Sequence, residues 1–167
     1  GGGWGVCSVV HGATSALCVD SSAAALESVQ RNAAASGVAG RVSVLHADAF
    51  DACRDLREQK ARFDIVVIDP PAFIKRRKDA EQGALAYRRI FEAGMRLVVD
   101  GGLVVCCSCS HHFPAEALLD AMNRAARAQG LRLRVLRRLA QSADHPLHPA
   151  MPETEYLKGF LAEVGRG

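Results

Sequence analysis

A chain of 167 residues and 17.8 kDa is the size of one domain with a real core and leaves no room for a second. Apolar residues at 49% and charged residues at 23% exclude disorder and collagen-like repeats, and no apolar run approaches the roughly 18–20 residues of a membrane span. Lys plus Arg (21) against Asp plus Glu (18) leaves a net charge of +3 and a pI near 8.6, below the value above about 9 that marks a dedicated nucleic-acid module. The chain opens on Gly1-Gly2-Gly3-Trp4-Gly5, a cluster that lets backbone come close to a ligand and leads into a helix N-terminus. Residues 14–19 form a β-rich run that ends in Asp20. Ser21 and Ser22 then offer N-caps for an Ala-rich helix with Leu26, Val29 and Ala33 on one stripe and Gly37 as its stop. A strand over 41–45 and a helix over 50–59 follow, then an apolar strand over 63–68 closed by Asp69-Pro70-Pro71. Beyond a basic loop the pattern predicts a helix over 81–98, a turn at Asp100-Gly101-Gly102 and an apolar strand over 103–107. A helix over 114–129 and strands over 131–136 and 156–164 complete the chain.

Strands alternating with helices predict one α/β domain with a Rossmann-like, doubly wound, mostly parallel sheet. The last two strands are joined by a loop rich in His, Pro and Asp instead of a helix, which implies an antiparallel C-terminal edge. Six cysteines (Cys7, Cys18, Cys53, Cys106, Cys107 and Cys109) show no disulfide framework, and no secretory leader opens the chain, so the expected compartment is the cytoplasm. Cys106 and Cys109 with His111 and His112 lack a second ligand pair, and no metal is expected.

In a doubly wound sheet ligands sit beyond the carboxyl ends of the strands, so the residues after each strand are the candidates. Asp20 follows the glycines at close to the roughly 20-residue offset at which a carboxylate takes ribose hydroxyls, although helix capping would use it equally well. Asp48, before Ala49, is placed to accept from an adenine amino group. Asp69-Pro70-Pro71-Ala72-Phe73 is a rigid extended turn that presents a carboxylate and carbonyls to the edge of a planar base, with Phe73 as a stacking face. Cys109 lies between Ser108 and Ser110 where a strand runs out into the crevice, a place for a nucleophilic thiolate, whereas Cys106 and Cys107 read as apolar filler. Lys75, Arg76, Arg77 and Lys78 follow the proline motif and suit phosphate contacts, with Arg88 and Arg89 beyond them. The group Arg124, Arg127, Arg132, Arg134, Arg137 and Arg138 reads as solvated faces.

Together these segments resemble class I S-adenosylmethionine (SAM)-dependent methyltransferases, and more specifically the ribosomal large-subunit methyltransferase I (RlmI-like) family. The resemblance rests on Gly2-Gly3-Trp4-Gly5, Val19-Asp20-Ser21-Ser22, Asp48-Ala49-Phe50, Asp69-Pro70-Pro71-Ala72-Phe73, Tyr87, Ser108-Cys109-Ser110, Asp144-His145-Pro146 and Tyr156-Leu157-Lys158-Gly159. It implies transfer of a methyl group from SAM to C5 of a cytosine in 23S rRNA through a covalent Cys109 adduct, with Asp69 on the N3/N4 edge. It further implies a cofactor site built from Gly2, Gly3, Trp4, Gly5, Asp20, Ser21, Asp48, Ala49 and Asp69, and a substrate site built from Pro70, Pro71, Phe73, Lys75 and Arg76. Related RNA enzymes place a second cysteine after the proline motif. Here that position is Ala72, so the base that removes the C5 proton is unassigned. The family also feeds the glycine loop from a central strand and carries N-terminal RNA-binding domains, neither of which is in this sequence. Residues 1–167 are therefore expected to be an N-terminally truncated catalytic domain, with a homodimer left open. N-methylation of a nucleic-acid base and a non-catalytic fragment that binds cofactor or RNA are the competing readings. A nicotinamide dehydrogenase fits the proline motif and Cys109 badly.

Overall fold

The computed structural model describes residues 2–74, 76–143 and 145–166, apart from the side chains of Arg77 and Pro152. Two compact units divide it, Gly1–Glu58 and Gln59–Gly167.

The first unit comprises α1 (Gly3–Val10), β1 (Ala16–Asp20), α2 (Ala23–Ala35), β2 (Val42–His46) and α3 (Ala49–Glu58). β1 and β2 pair in parallel, from Ala16↔Val42 to Asp20↔His46, so both strands end on the same side. The predicted stripe of α2 is the buried one: Leu26, Val29 and Ala33 turn inward, and Val29 and Ala33 pack with Val6, Val9 and Val38. Ser22 caps the helix by accepting the Ala25 N–H at 3.2 Å. At the other end Gly37 takes φ 70°, the Gly37 N–H donates to Ala34 O and the Val38 N–H to Ala33 O, a Schellman stop that satisfies two terminal carbonyls.

The second unit comprises β3 (Phe63–Ile68), α4 (Ala80–Met95), β4 (Val98–Ser108), α5 (Ala115–Arg127), β5 (Leu131–Ala140) and β6 (Lys158–Arg166). Its sheet has the order β3-β4-β6-β5. β3 and β4 are parallel across the α4 crossover, and β6 lies antiparallel between β4 and β5. The mixed sheet with antiparallel C-terminal strands agrees with the sequence pattern. The inner place belongs to the last strand, because β6 is apolar on the face it buries through Phe160, Ala162 and Val164. The core sits between this sheet and α4 and α5, with Tyr87, Phe91, Met95, Leu118 and Met122 at most 1% exposed.

One boundary departs from expectation. α4 ends at Met95, three residues early, and the predicted turn at Asp100-Gly101-Gly102 lies inside β4. Phe63 pairs with Val98 and Ile65 with Leu103, so the chain loops out between the two pairings. Gly101 supplies the positive φ of 75°, and a Cβ on Gly102 would stand 2.9 Å from Asp64 O. Among the described residues β1 pairs on one side only, as does β3, whose Ile65 is 51% exposed. No helix among them is long and apolar enough to cross a membrane.

Candidate active site

In the first unit the cofactor candidates gather at the carboxyl ends of the parallel strands. Asp20 closes β1, and its Oδ1 accepts the Ser22 N–H at 2.8 Å. The helix cap is therefore Ser22, and Asp20 braces the turn while staying exposed, with Oδ2 unengaged among the described residues. Asp48 lies just beyond β2 and caps α3, its Oδ1 accepting from Phe50 N at 2.8 Å and Asp51 N at 3.4 Å. Ala49 is the first helical residue. His46 Nε2 donates to Ser21 O at 2.9 Å and ties the end of β2 to the β1–α2 turn. That residue had no role in the sequence reading; the parallel register that sets His46 opposite Asp20 is what reveals it.

The glycines divide by environment. Gly2 caps α1 in a left-handed conformation (φ 77°), with no side chain capping the helix. A Cβ on Gly2 would stand 2.5 Å from Val29 Cγ2, and one on Gly5 2.5 Å from Cys18 Sγ. These two are glycine for packing. Gly3 is exposed with nothing within 4 Å of a Cβ position, so its small size keeps open the approach to the first turn of α1. Trp4, 48% exposed, is beside it.

In the second unit the register Ile68↔Cys106 makes β3 and β4 run out side by side. Asp69 and Pro71 are exposed, Pro70 is half-buried, and the Cys109 thiol points at Pro70 O at 4.0 Å. Cys109 itself is half-buried, between hydroxyls that are not: Ser108 is 0% and Ser110 1% exposed. Tyr87, rising from α4, holds both. Ser108 Oγ donates to Tyr87 OH at 2.9 Å, and Tyr87 OH pairs with Ser110 Oγ at 2.8 Å. Ser108 Oγ also accepts the Ser110 N–H at 3.1 Å, and Ser110 Oγ accepts the Ile74 N–H at 3.2 Å. The three hydroxyls clamp the backbone on both sides of Cys109 and fasten it to the loop after the prolines. From β6, Lys158 Nζ donates to Ser110 O at 2.6 Å.

Burial pushes the Cys107 thiol up to about 12, with the Asp69 carboxylate and Cys109 adding to it, and burial lifts Cys106 well above the ordinary thiol range. Both stay protonated at neutral pH, in keeping with their reading as filler. Phe73 is half-buried with its ring 4.8 Å from that of Tyr87, so one face is committed to the core. Arg76 is exposed and paired with Asp79 at 3.1 Å. Lys75, and Asp144 of the Asp-His-Pro motif, lie outside the described residues. The structure thus brings Asp69, Pro70 and Cys109 together and shows no contact of Arg76 with them. Tyr87 and Lys158 entered the sequence reading only as matching residues. The signal for Tyr87 was a hydroxyl on the buried stripe of α4, beside Gly83, Ile90 and Phe91.

The family described as S-adenosylmethionine-dependent methyltransferase matches residues 1–159, and the chain belongs to it. Among curated proteins it is similar to the ribosomal RNA large subunit methyltransferase I of Alteromonas mediterranea, at 36% identity over 92% of this chain and 39% of that protein. It is also similar to the protein of the same name from Vibrio cholerae, at 33% identity over 98% of this chain and 42% of that protein. The chain therefore spans about two fifths of the length of the curated relatives it matches. Among solved structures, SMU.776, described as a methyltransferase and complexed with SAH, superposes with a TM-score of 0.79 at 19% identity, over 95% of this chain and 41% of that one. Trm5b from Pyrococcus abyssi superposes with a TM-score of 0.64 at 16% identity, over 96% of this chain and 42% of that one. These likenesses show the methyltransferase fold.

Proposed function

We propose that residues 1–167 form the catalytic domain of an RNA (cytosine-5)-methyltransferase acting on large-subunit ribosomal RNA in the cytoplasm, with Cys109 as its nucleophile. The observation that carries the reading is the half-buried Cys109 at the end of β4, its backbone clamped by Ser108, Ser110 and Tyr87 and its thiol turned to the carbonyl of Pro70 beside Asp69. A structural cysteine needs no such clamp, and a methyltransferase directed at an exocyclic amine needs no thiol.

The residues of the first unit fit the cofactor of the family. SAM, when bound, supplies an electrophilic methyl group on a sulfonium. Asp20 offers a free carboxylate oxygen to ribose hydroxyls, and Asp48 and Ala49 lie at the neighbouring strand end for the adenine. Gly3 leaves the uncapped first turn of α1 open to a polar group. In the second unit Cys109 Sγ adds to C6 of the cytosine, forming a C–S bond and raising electron density at C5, the atom to be methylated. Asp69 holds the N3/N4 edge, where the displaced ring electrons collect, and Pro70 and Pro71 fix the direction of that carboxylate. Loss of the C5 proton then restores the ring double bond and expels the thiolate. Arg76 and Lys75 contact the phosphates that flank the base.

A 5-fluorocytosine RNA tests this directly, because fluorine at C5 removes the proton whose loss releases the enzyme. With SAM and a fragment of large-subunit ribosomal RNA, the chain forms an adduct stable to denaturing electrophoresis, and Cys109→Ala forms none. An adduct that survives in Cys109→Ala refutes the nucleophile. Methyl transfer to an amino group without any adduct assigns the protein to N-methylation.

A further inference from the structure

We infer that Lys158 is the positioning residue that holds Cys109 ready as a thiolate, its ammonium anchored on the Ser110 carbonyl beside the sulfur. The inference rests on the reading of Cys109 as nucleophile.

Lys158 is the first residue of β6, the strand held between β4 and β5, and pairs with Ser108 on one side and Ala140 on the other. It thus emerges where β4 releases Cys109. A lysine at a strand end ordinarily extends its ammonium into water. This one is half-buried, and Nζ donates to Ser110 O at 2.6 Å, reaching over Cys109 to the next residue. Burial lowers its pKa, while the neighbouring Cys109 and Glu155 favour the charged form. Coupling between two charges is mutual, so an ammonium favoured by a thiolate at Cys109 favours that thiolate equally.

The surroundings call for such a cation. Asp69 and Cys107 face the same cluster, and Asp69 is a negative charge that opposes a second one at Cys109. Cys107 stays protonated and adds no charge. Glu155 lies on the Lys158 side and holds the ammonium in its charged form. Among these groups Lys158 alone carries positive charge. The thiol proton of Cys109 passes to solvent, leaving the sulfur electron pair for C6.

The test reads the thiol without turnover. Peptide-resolved alkylation of Cys109 by iodoacetamide is followed from pH 6 to 10 in the wild-type chain, Lys158→Gln and Lys158→Arg. Gln keeps a donor for Ser110 O and removes the charge; Arg keeps the charge. In Lys158→Gln the midpoint of the profile moves up by about one pH unit, and the rate at neutral pH falls about tenfold. The plateau rate at high pH is unchanged, because access to the sulfur is unchanged. Lys158→Arg restores most of the rate, and 1 M NaCl shrinks the difference between wild type and Lys158→Gln. An unmoved midpoint in Lys158→Gln, or no recovery with Arg, overturns the inference, as does an altered plateau with an unmoved midpoint. The trapping experiment separates the two claims: a moved midpoint without a fluorocytosine adduct sinks the nucleophile and keeps the pairing, and an adduct with an unmoved midpoint does the reverse.

Discussion

Replacing Tyr87 with Phe isolates the hydroxyl that organises the nucleophile loop. The ring is fully buried and stacks on Phe113 (4.7 Å, 6° between planes), with Phe73 at 4.8 Å and Phe91 at 5.8 Å. Phe keeps all of that packing, so no cavity opens. What disappears is the acceptor for Ser108 Oγ–H and one partner of Ser110 Oγ. Ser108 Oγ still accepts from Ser110 N, and Ser110 Oγ still accepts from Ile74 N, so each oxygen stays engaged. The Ser108 proton, inside a site with no solvent exposure, loses its partner. A net hydrogen bond is worth about 1 kcal/mol, and a stranded buried donor costs about 1–3 kcal/mol. Tyr87→Phe should therefore destabilise the chain by about 2–3 kcal/mol in urea unfolding followed by circular dichroism, with the slope against urea unchanged. Adding Ser108→Ala removes the stranded donor, so the double variant should be less destabilised than the sum of the singles by about 1 kcal/mol. A Tyr87→Phe loss below about 0.5 kcal/mol, or simple additivity in the double variant, would show that the hydroxyl cluster does not hold the loop.

Three further outcomes follow from the same contacts. Gly3→Ala puts its methyl into open space in a helix, where alanine is favoured by about 0.5–1 kcal/mol. The variant should melt no lower than wild type yet bind S-adenosylhomocysteine at least about tenfold more weakly by calorimetry, and undiminished binding would remove Gly3 from the cofactor site. Gly2→Ala meets Val29 and adopts φ 77° with a side chain, so it should lower the melting temperature before any ligand is added. Cys107 holds its proton up to about pH 12 in the folded chain, whereas an unfolded thiol releases it near 9. Between those values the folded state binds more protons, so stability falls as pH rises, by at most about 1.4 kcal/mol per unit for this group. In Cys107→Ala the alkaline loss should be shallower, and a slope equal to that of wild type would refute the assignment.

Local chemistry was legible in the sequence wherever it is local in space. The Leu26, Val29 and Ala33 stripe, the Ser22 cap and the Gly37 stop all concern residues within one helix, and periodicity and φ requirements carry them. The candidate site was legible at the strand ends, because Asp20, Asp48, Asp69 and Cys109 each interrupt an apolar run with a group that has no place in a core. The glycines at 101 and 102 misled, since a turn and a looped-out strand segment make the same demand for positive φ. Only the pairing of Phe63 with Val98 and Ile65 with Leu103 separates them.

The supports of the nucleophile were hidden for a related reason. Pro70, Tyr87, Ser110 and Lys158 come from β3's end, α4, β4's end and β6, and each looks ordinary in its own segment: a turn proline, a core aromatic, a loop serine, a strand-end lysine. Their function exists only as mutual distance, and that distance is set by registers no local pattern encodes. The β3–β4 pairing sets Pro70 against Cys109, and the antiparallel β4–β6 pairing brings Lys158 back to the same point from the far end of the chain. A shift of β6 by one residue would turn Lys158 to the opposite face of the sheet and replace it with the apolar Leu157 or with Gly159. The buried alternation of Phe160, Ala162 and Val164 forbids that shift, because it would expose all three. The core of the second unit thereby fixes the charge beside the nucleophile, and a polar contact near the surface inherits its precision from hydrophobic packing behind it.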